Sequence, residues 1–327
     1  MSTGGNIPYH LRQNKAIERN LFIDLLSRIG RYRNISAYRY VGFGGPFLED
    51  FKHLHSALRI SDMISLEIDQ NVYARQKFNR PISCVELRKE SSGDFLSNYD
   101  FEDETNAIVW FDYATPDIGG QLSEVQRLIE KLGHGDIFKI TVNASPGTLG
   151  HTDANHQDML SLRAQTALNR LGDYGPPTVS STDVTTKSYP GLLLKALLNA
   201  AKHGLSGDRG LIVQGLTAFV YSDGQQMLTF TGALLHENEL SDFFEKTRLN
   251  SWPFFNDCTK APRLISVPAF SAKERVHVES MLPGADADEI IESLQYYVGG
   301  TQQAAKTEIN NFINFYRLYP WYSRIVL

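Results

Sequence analysis

Apolar residues recur along this chain in two periods. Short runs dense in β-branched and aromatic residues alternate with stretches whose apolar positions return every three or four residues, the patterns of strand and helix. Ile17, Leu21, Phe22, Leu25, Leu26 and Ile29 share one face at helical spacing, which predicts an amphipathic helix over 15–31. Strand-like runs follow at 37–41, 63–67, 82–87, 107–112 and 137–142, with helical stretches between them at 47–59, 70–79 and 121–132. Several of these strands are apolar without clean alternation, as a parallel sheet covered on both faces requires. Helices of about three turns between them suit right-handed crossovers.

The pattern breaks after Asn143. Residues 144–188 are rich in Gly, Pro, Ser, Thr and Asp around one helical piece at 156–171. So long a segment leaving the sheet's ligand-binding edge reads as a lid or acceptor-recognition loop. A helix is expected at 191–203, and then runs at 211–222 and 226–236 flank Asp223-Gly224, a strong hairpin signal. From Glu237 the pattern is helical, clearest at 286–298 and 305–319.

The candidate chemistry sits early. The run from Ser36 to Val41 feeds directly into the turn Gly42-Phe43-Gly44-Gly45, and the next strand ends in Glu67 and Asp69. That is the layout of a nucleotide-binding βαβ unit. The glycines let the backbone approach a ligand, and an acid after the second strand can accept hydrogen bonds from ribose hydroxyls. Asp69 also suits the N-cap of the following helix, so we divide the roles: Glu67 for ribose, Asp69 for the cap. Asp112 follows the apolar run Ile108-Val109-Trp110-Phe111 and should emerge at the carboxyl end of a central strand, where open α/β sheets bind ligands.

Composition changes this picture little. The 327 residues are 42% hydrophobic and 21% charged, enough for one large α/β domain with appendages or for two smaller ones. The formal charge of −5 argues against a protein that coats nucleic acid, although a local basic groove remains compatible with it. Cys84 and Cys258 make no disulfide framework, and Cys84, in a largely apolar run, reads as a buried thiol in a reducing compartment. No apolar run approaches the roughly 20 residues that cross a bilayer, and the first residues lack the apolar core of a signal peptide. A cytoplasmic protein with no membrane partner is the expectation.

Taken together, the βα units and terminal hairpin resemble the class I, S-adenosylmethionine-dependent methyltransferases. The resemblance spans roughly residues 36–236 and rests on the order and spacing of four motifs. It implies an α/β, Rossmann-like, mainly parallel sheet ending in an antiparallel hairpin. It divides the chain into an N-terminal helical segment (1–35), the methyltransferase domain (36–236, with the 144–188 insertion) and a helical C-terminal appendage (237–327). It implies S-adenosylmethionine as cofactor. Gly42, Phe43, Gly44 and Gly45 would line its methionine end, and Glu67 would hold its ribose. Gly93-Asp94-Phe95 is similar to the third-strand motif, in which Asp94 would accept the adenine amino group and Phe95 would flank the ring. Phe111-Asp112-Tyr113-Ala114-Thr115-Pro116 falls where that family places active-site groups, making Asp112 and Tyr113 the catalytic candidates. Tyr40 departs from the pattern, standing where an acid usually helps to hold the cofactor's amino group.

Two competing readings remain open at this point. An NAD-dependent oxidoreductase would share the glycine turn, although Phe47 falls where its fingerprint needs a small residue. A catalytically inactive methyltransferase-like subunit or sensor would account for Tyr40 and for the aromatic appendage. The acceptor is unidentified; the acidic charge favours a small molecule or protein over a nucleic acid without excluding the latter. His151, Asp153, His156 and Asp158 could ligate a divalent ion, but their spacing matches no standard zinc module, and no metal is expected. The C-terminal aromatics Tyr296, Tyr297, Phe312, Phe315, Tyr316, Tyr319, Trp321 and Tyr322 have few basic neighbours. Docking onto the main domain or onto another subunit or partner is preferred for them over base stacking.

Overall fold

A computed structural model describes residues 12–101, 105–150, 156–205 and 210–320. The chain opens with α1 (Gln13–Ile29), then alternates β1 (Arg39–Phe43), α2 (Glu49–Leu58), β2 (Asp62–Leu66), α3 (Gln70–Asn79), β3 (Val85–Arg88) and α4 (Ser92–Asn98). It continues through β4 (Ala107–Asp112), α5 (Ile118–Lys131), β5 (Ile137–Asn143), α6 (His156–Leu171) and α7 (Tyr189–Gly204). The hairpin β6 (Leu211–Ser222) and β7 (Gln226–His236) is followed by α8 (Leu240–Thr247), β8 (Arg263–Ile265), α9 (Ala272–Met281), α10 (Ala287–Leu294) and α11 (Gln302–Phe315).

Among the described residues these strands form one eight-stranded sheet in the order β3-β2-β1-β4-β5-β7-β6-β8. The first five pair in parallel, β7 runs antiparallel to both β5 and β6, and β8 lies parallel to β6 at the edge. The two-residue period of the strands sorts the core into two layers. On β4, Val109 and Phe111 face a layer built from α4, α5, α6 and α7. Ile108 and Trp110 face the opposite layer, made by α1, α2 and α8 through α11. Both faces are covered, which is why these strands are apolar throughout rather than alternating.

The N-terminal helix and the C-terminal helices therefore share one core. Ile17, Leu21 and Leu25 of α1 belong to the same buried cluster as Ile290, Ile309, Phe312 and Phe315. The C-terminal aromatics follow suit: Phe312 and Phe315 are fully buried, while Tyr296 and Tyr297 stay about half exposed. Trp321 and Tyr322 lie outside the described residues. Within the 144–188 stretch, α6 turns Ala164, Ala167 and Leu171 into the core beside α5 and α7.

Four elements are absent from the sequence reading. Helix α4 has only seven residues and β8 only three, too short for a periodic signal. Helix α8 is also short, at eight residues. Helix α9 lacks a regular apolar stripe, with Val276 exposed and Val278 buried, but its start carries a capping box, Ser271 with Glu274. Cys84 needs a correction: it precedes β3 in a turn and is only partly buried, whereas Cys258 is the buried thiol, and both are free. Among the described residues no helix is long and apolar enough to cross a membrane.

Candidate active site at the carboxyl edge of the sheet

Strand β1 lies between β2 and β4, so successive strands leave it in opposite directions and the loops at its carboxyl end diverge. Such a switch point opens a crevice. A cavity of about 820 Å³ occupies it, reached by Gly44 and Gly45 after β1, Glu67 after β2, and Asp112 and Tyr113 at the end of β4. Glu90, Ser91 and Ser92 close one side, and Arg12, Lys15, Tyr221 and Asp223 close the other.

The glycine turn is dictated by packing as well as by backbone freedom. A Cβ on Gly44 would lie 2.2 Å from Leu48 Cδ2 and 2.6 Å from Ser65 Oγ, so no side chain fits there. Gly45 has φ +52 with nothing within 4 Å of its missing Cβ, so there the left-handed backbone is the constraint. Helix α3 latches the turn: Gln76 Nε2 donates to the Gly45 carbonyl at 2.9 Å and Asn79 Nδ2 to that of Pro46 at 2.8 Å. Phe43 stacks on Phe111 and borders the cavity. Tyr40 points the other way, into the α1–α2 layer, with its ring edge-on to Phe51. It is a core residue and does not reach the cavity.

Glu67 stands half-buried directly after β2, and its Oε1 accepts the Asp69 backbone N–H at 2.8 Å. Burial pushes its carboxyl above the ordinary range. Asp69 caps α3, accepting from the N–H groups of Asn71 and Val72. The third-strand motif is placed differently from its sequence assignment. Ser91 is the N-cap of α4, and Asp94 bonds back to it at 2.7 Å on the exposed first turn, while Phe95 is fully buried and stacked on Tyr99. Neither reaches the cavity; the residues just ahead of them, Glu90 through Ser92, do.

Asp112 is clasped by two cations. Lys15 Nζ lies 3.3 Å and Arg19 Nη2 2.8 Å from its Oδ2. Burial alone would raise its pKa, but Lys15 and Arg19 outweigh burial and hold the carboxyl below its ordinary value. Tyr113 donates to Glu124 Oε2 at 2.7 Å, and Ser92 Oγ donates to the same oxygen at 2.7 Å. Burial and the Glu124 carboxylate push the Tyr113 phenol far up, so it stays protonated.

Beneath the cavity lies a buried ionic network. Arg19 bonds Glu18 at 2.7 Å, approaches Asp50 at 3.6 Å and stacks 4.4 Å over the Trp110 ring. The other Glu18 oxygen bonds Lys139, whose Nζ also lies 4.2 Å from the rings of both Phe22 and Trp110. Burial pushes the Lys139 ammonium down to about 8 despite Glu18. The start of α1 is tied to the hairpin turn: Asp223 accepts the Lys15 N–H at 2.7 Å, and Asn14 Nδ2 donates to the Ser222 carbonyl at 3.0 Å.

Arg12, Lys15, Glu18, Arg19, Lys139 and Glu90 have no part in the sequence reading. A signal was present: Lys15, Glu18, Arg19 and Phe22 continue the apolar stripe of α1 at helical spacing, and Lys139 interrupts the apolar run 137–142. Charges at core positions are rarely left unpaired. The possible metal residues His151 and Asp153 lie outside the described residues, as does the His156 side chain. Among the described residues no group of three His, Cys, Asp or Glu side chains is placed to hold a metal.

The described lining contains no histidine and no cysteine. Asp112 is held as a carboxylate and Tyr113 as a phenol, so these two groups can position reactants but are poorly placed to exchange protons.

Solved structures resemble the chain only distantly. Trm1 from Pyrococcus horikoshii in complex with S-adenosyl-L-methionine is 13% identical over 69% of this chain and 56% of that one, with a TM-score of 0.39. The O-methyltransferase TomG from Streptomyces achromogenes is 16% identical over 65% and 79%, with a TM-score of 0.35. The N-methyltransferase NodS from Bradyrhizobium japonicum WM9 is 8% identical over 67% and 97%, with a TM-score of 0.37. No curated protein matches. A family model described as "Putative O-methyltransferase" matches residues 7–327, and the chain belongs to that family of methyltransferases.

Proposed function

We propose that the carboxyl-edge cavity binds S-adenosylmethionine and delivers its methyl group to an oxygen acceptor. The reading is carried by one observation: the glycine turn, Glu67 and Asp112, far apart in sequence, converge on a single cavity of about 820 Å³ at the sheet's switch point. That volume lies in the range of small-ligand sites, roughly 300–1,000 Å³. When bound, S-adenosylmethionine supplies a methyl group on a positively charged sulfur, open to in-line displacement by an oxygen lone pair.

This chain's residues then have separable tasks. Gly44 and Gly45 bring backbone against the methionine end, with the turn held by Gln76 and Asn79. Glu67 accepts from the ribose hydroxyls. Glu90, Ser91 and Ser92 take the adenine side in place of Asp94 and Phe95. Asp112 and Tyr113 border the transfer point, Asp112 as a fixed negative charge and Tyr113 as a wall braced by Glu124. Seven acidic residues line the cavity against two basic ones, a balance that repels a polyanion and favours a small-molecule or protein acceptor. The two free thiols suit a cytoplasmic setting.

Calorimetric titration with S-adenosylhomocysteine, with NAD in parallel, tests the reading. Micromolar binding of S-adenosylhomocysteine is expected, about −8 kcal/mol. Glu67→Ala should weaken it by about 1–3 kcal/mol through loss of the ribose hydrogen bonds. Saturable NAD binding with no S-adenosylhomocysteine binding would overturn the cofactor assignment.

A further inference from the structure

The charged groups around the cavity are nearly all engaged. Asp112 is held by Lys15 and Arg19, Asp223 by the start of α1, Glu124 by Tyr113 and Ser92, and Glu67 by the Asp69 N–H. Arg12 is the exception. Its Nη2 is turned away from solvent with no hydrogen-bond partner, the one buried side-chain polar atom of the lining so placed among the described residues. A buried donor left unpaired is costly, and more so when charged. The side chain already borders the cavity.

We propose that Arg12 is the anion-recognition residue of this site and takes a carboxylate, paired through its guanidinium fork. Planar, two-point pairing is what a guanidinium offers and an ammonium does not. Lys15, one helical turn further along and already on Asp112, adds positive potential to the same wall. Two sources supply a carboxylate here: the methionine moiety of the cofactor, or the acceptor itself. The inference rests on the S-adenosylmethionine reading of the cavity.

The test is calorimetric titration of wild type, Arg12→Lys and Arg12→Met with two ligands. S-adenosylhomocysteine carries the carboxylate. 5′-Methylthioadenosine keeps the adenosine and thioether but lacks the amino-acid group. Arg12→Met should raise the dissociation constant for S-adenosylhomocysteine tenfold or more and leave that for methylthioadenosine within twofold, with Arg12→Lys between the two. If both nucleosides are unaffected, benzoate titrated into protein saturated with S-adenosylhomocysteine decides the source: binding that Arg12→Met abolishes assigns the carboxylate to the acceptor. The proposal is overturned if Arg12→Met changes none of the three affinities, or if it weakens both nucleosides equally. Wild-type protein that binds neither nucleoside would instead sink the cofactor reading, a separate failure.

Discussion

Replacing Glu18 by Gln would strip the carboxylate that bonds Lys139 in the buried network beneath the cavity. Three cations, Lys15, Arg19 and Lys139, there face three anions, Glu18, Asp50 and Asp112, in a set of contacts that balances in charge. Both Glu18 and Lys139 are 1% exposed. Glu18→Gln leaves an excess of positive charge in that space, with Arg19 beside Lys139 and the rings of Phe22 and Trp110 and the field of Asp50 to offset it. Those ring contacts exist already in the intact protein, so they add nothing new. Breaking a buried pair from one side costs about 3–5 kcal/mol, and we expect about 3 kcal/mol here. Lys139→Met should cost less, about 1 kcal/mol, because Glu18 keeps its 2.7 Å bond to Arg19. The double variant removes both charges, so its cost should fall at least about 2 kcal/mol short of the summed singles. Urea unfolding followed by circular dichroism and tryptophan fluorescence reads these values, coincident transitions establishing a single cooperative step. A Glu18→Gln cost under about 1 kcal/mol, or singles that add within about 0.5 kcal/mol, would refute the account.

Three further outcomes follow from the same geometry. Lys139 titrates near 8 when folded against an ordinary 10.5, so the unfolded chain binds the proton more tightly and stability gains as pH rises between those values, by up to about 3 kcal/mol. Burial raises the pKa values of Tyr38 and Tyr189, which act in the opposite sense from their ordinary value of 10 upward and so overlap the top of that window; the gain is therefore read as wild type minus Lys139→Met, and a difference that does not grow with pH would refute it. Gly44→Ala should cost about 1–3 kcal/mol and weaken S-adenosylhomocysteine binding, because Leu48 is fully buried and cannot move aside, whereas Gly45→Ala meets no atom and should cost only about 1 kcal/mol of backbone strain; equal thermal shifts would contradict this. Asn14→Ala removes side-chain bonds to the Ser222 carbonyl, to Asp223 and from the Val267 N–H, and should raise amide exchange in the first turn of α1 by tenfold or more, at a stability cost of about 2 kcal/mol; unchanged exchange would show that α1 is held by its apolar face alone.

Much of the site's frame was legible before the structure. The acid after the second strand and Asp112 after the fourth could be placed because an apolar run ending in a charged residue marks a strand leaving the core. The hairpin at Asp223-Gly224 was legible because that pair tolerates the backbone of a tight turn. The adenine-side assignment was not. Helix α4 starts at Ser92 behind its N-cap Ser91, and that start leaves Glu90, Ser91 and Ser92, not Asp94, on the cavity; element boundaries are the least legible part of a pattern. Tyr40 was read as a gap in the cofactor site, yet the alternation of β1 turns it to the opposite layer, against Phe51.

The sequence by itself determined the α/β alternation, the parallel strands, the terminal hairpin and the edge of the sheet at which the cavity opens. All of these depend on local periodicity and turn chemistry, which act over a few residues. Tertiary structure alone decided how α1 completes the site. Lys15 meets Asp112 across 97 residues, Arg19 meets it across 93, and Lys139 meets Glu18 across 121. No local pattern encodes such pairings. They arise because the N-terminal and C-terminal helices bury one shared apolar face against the sheet, and the charges that α1 carries into that interior must then find partners there.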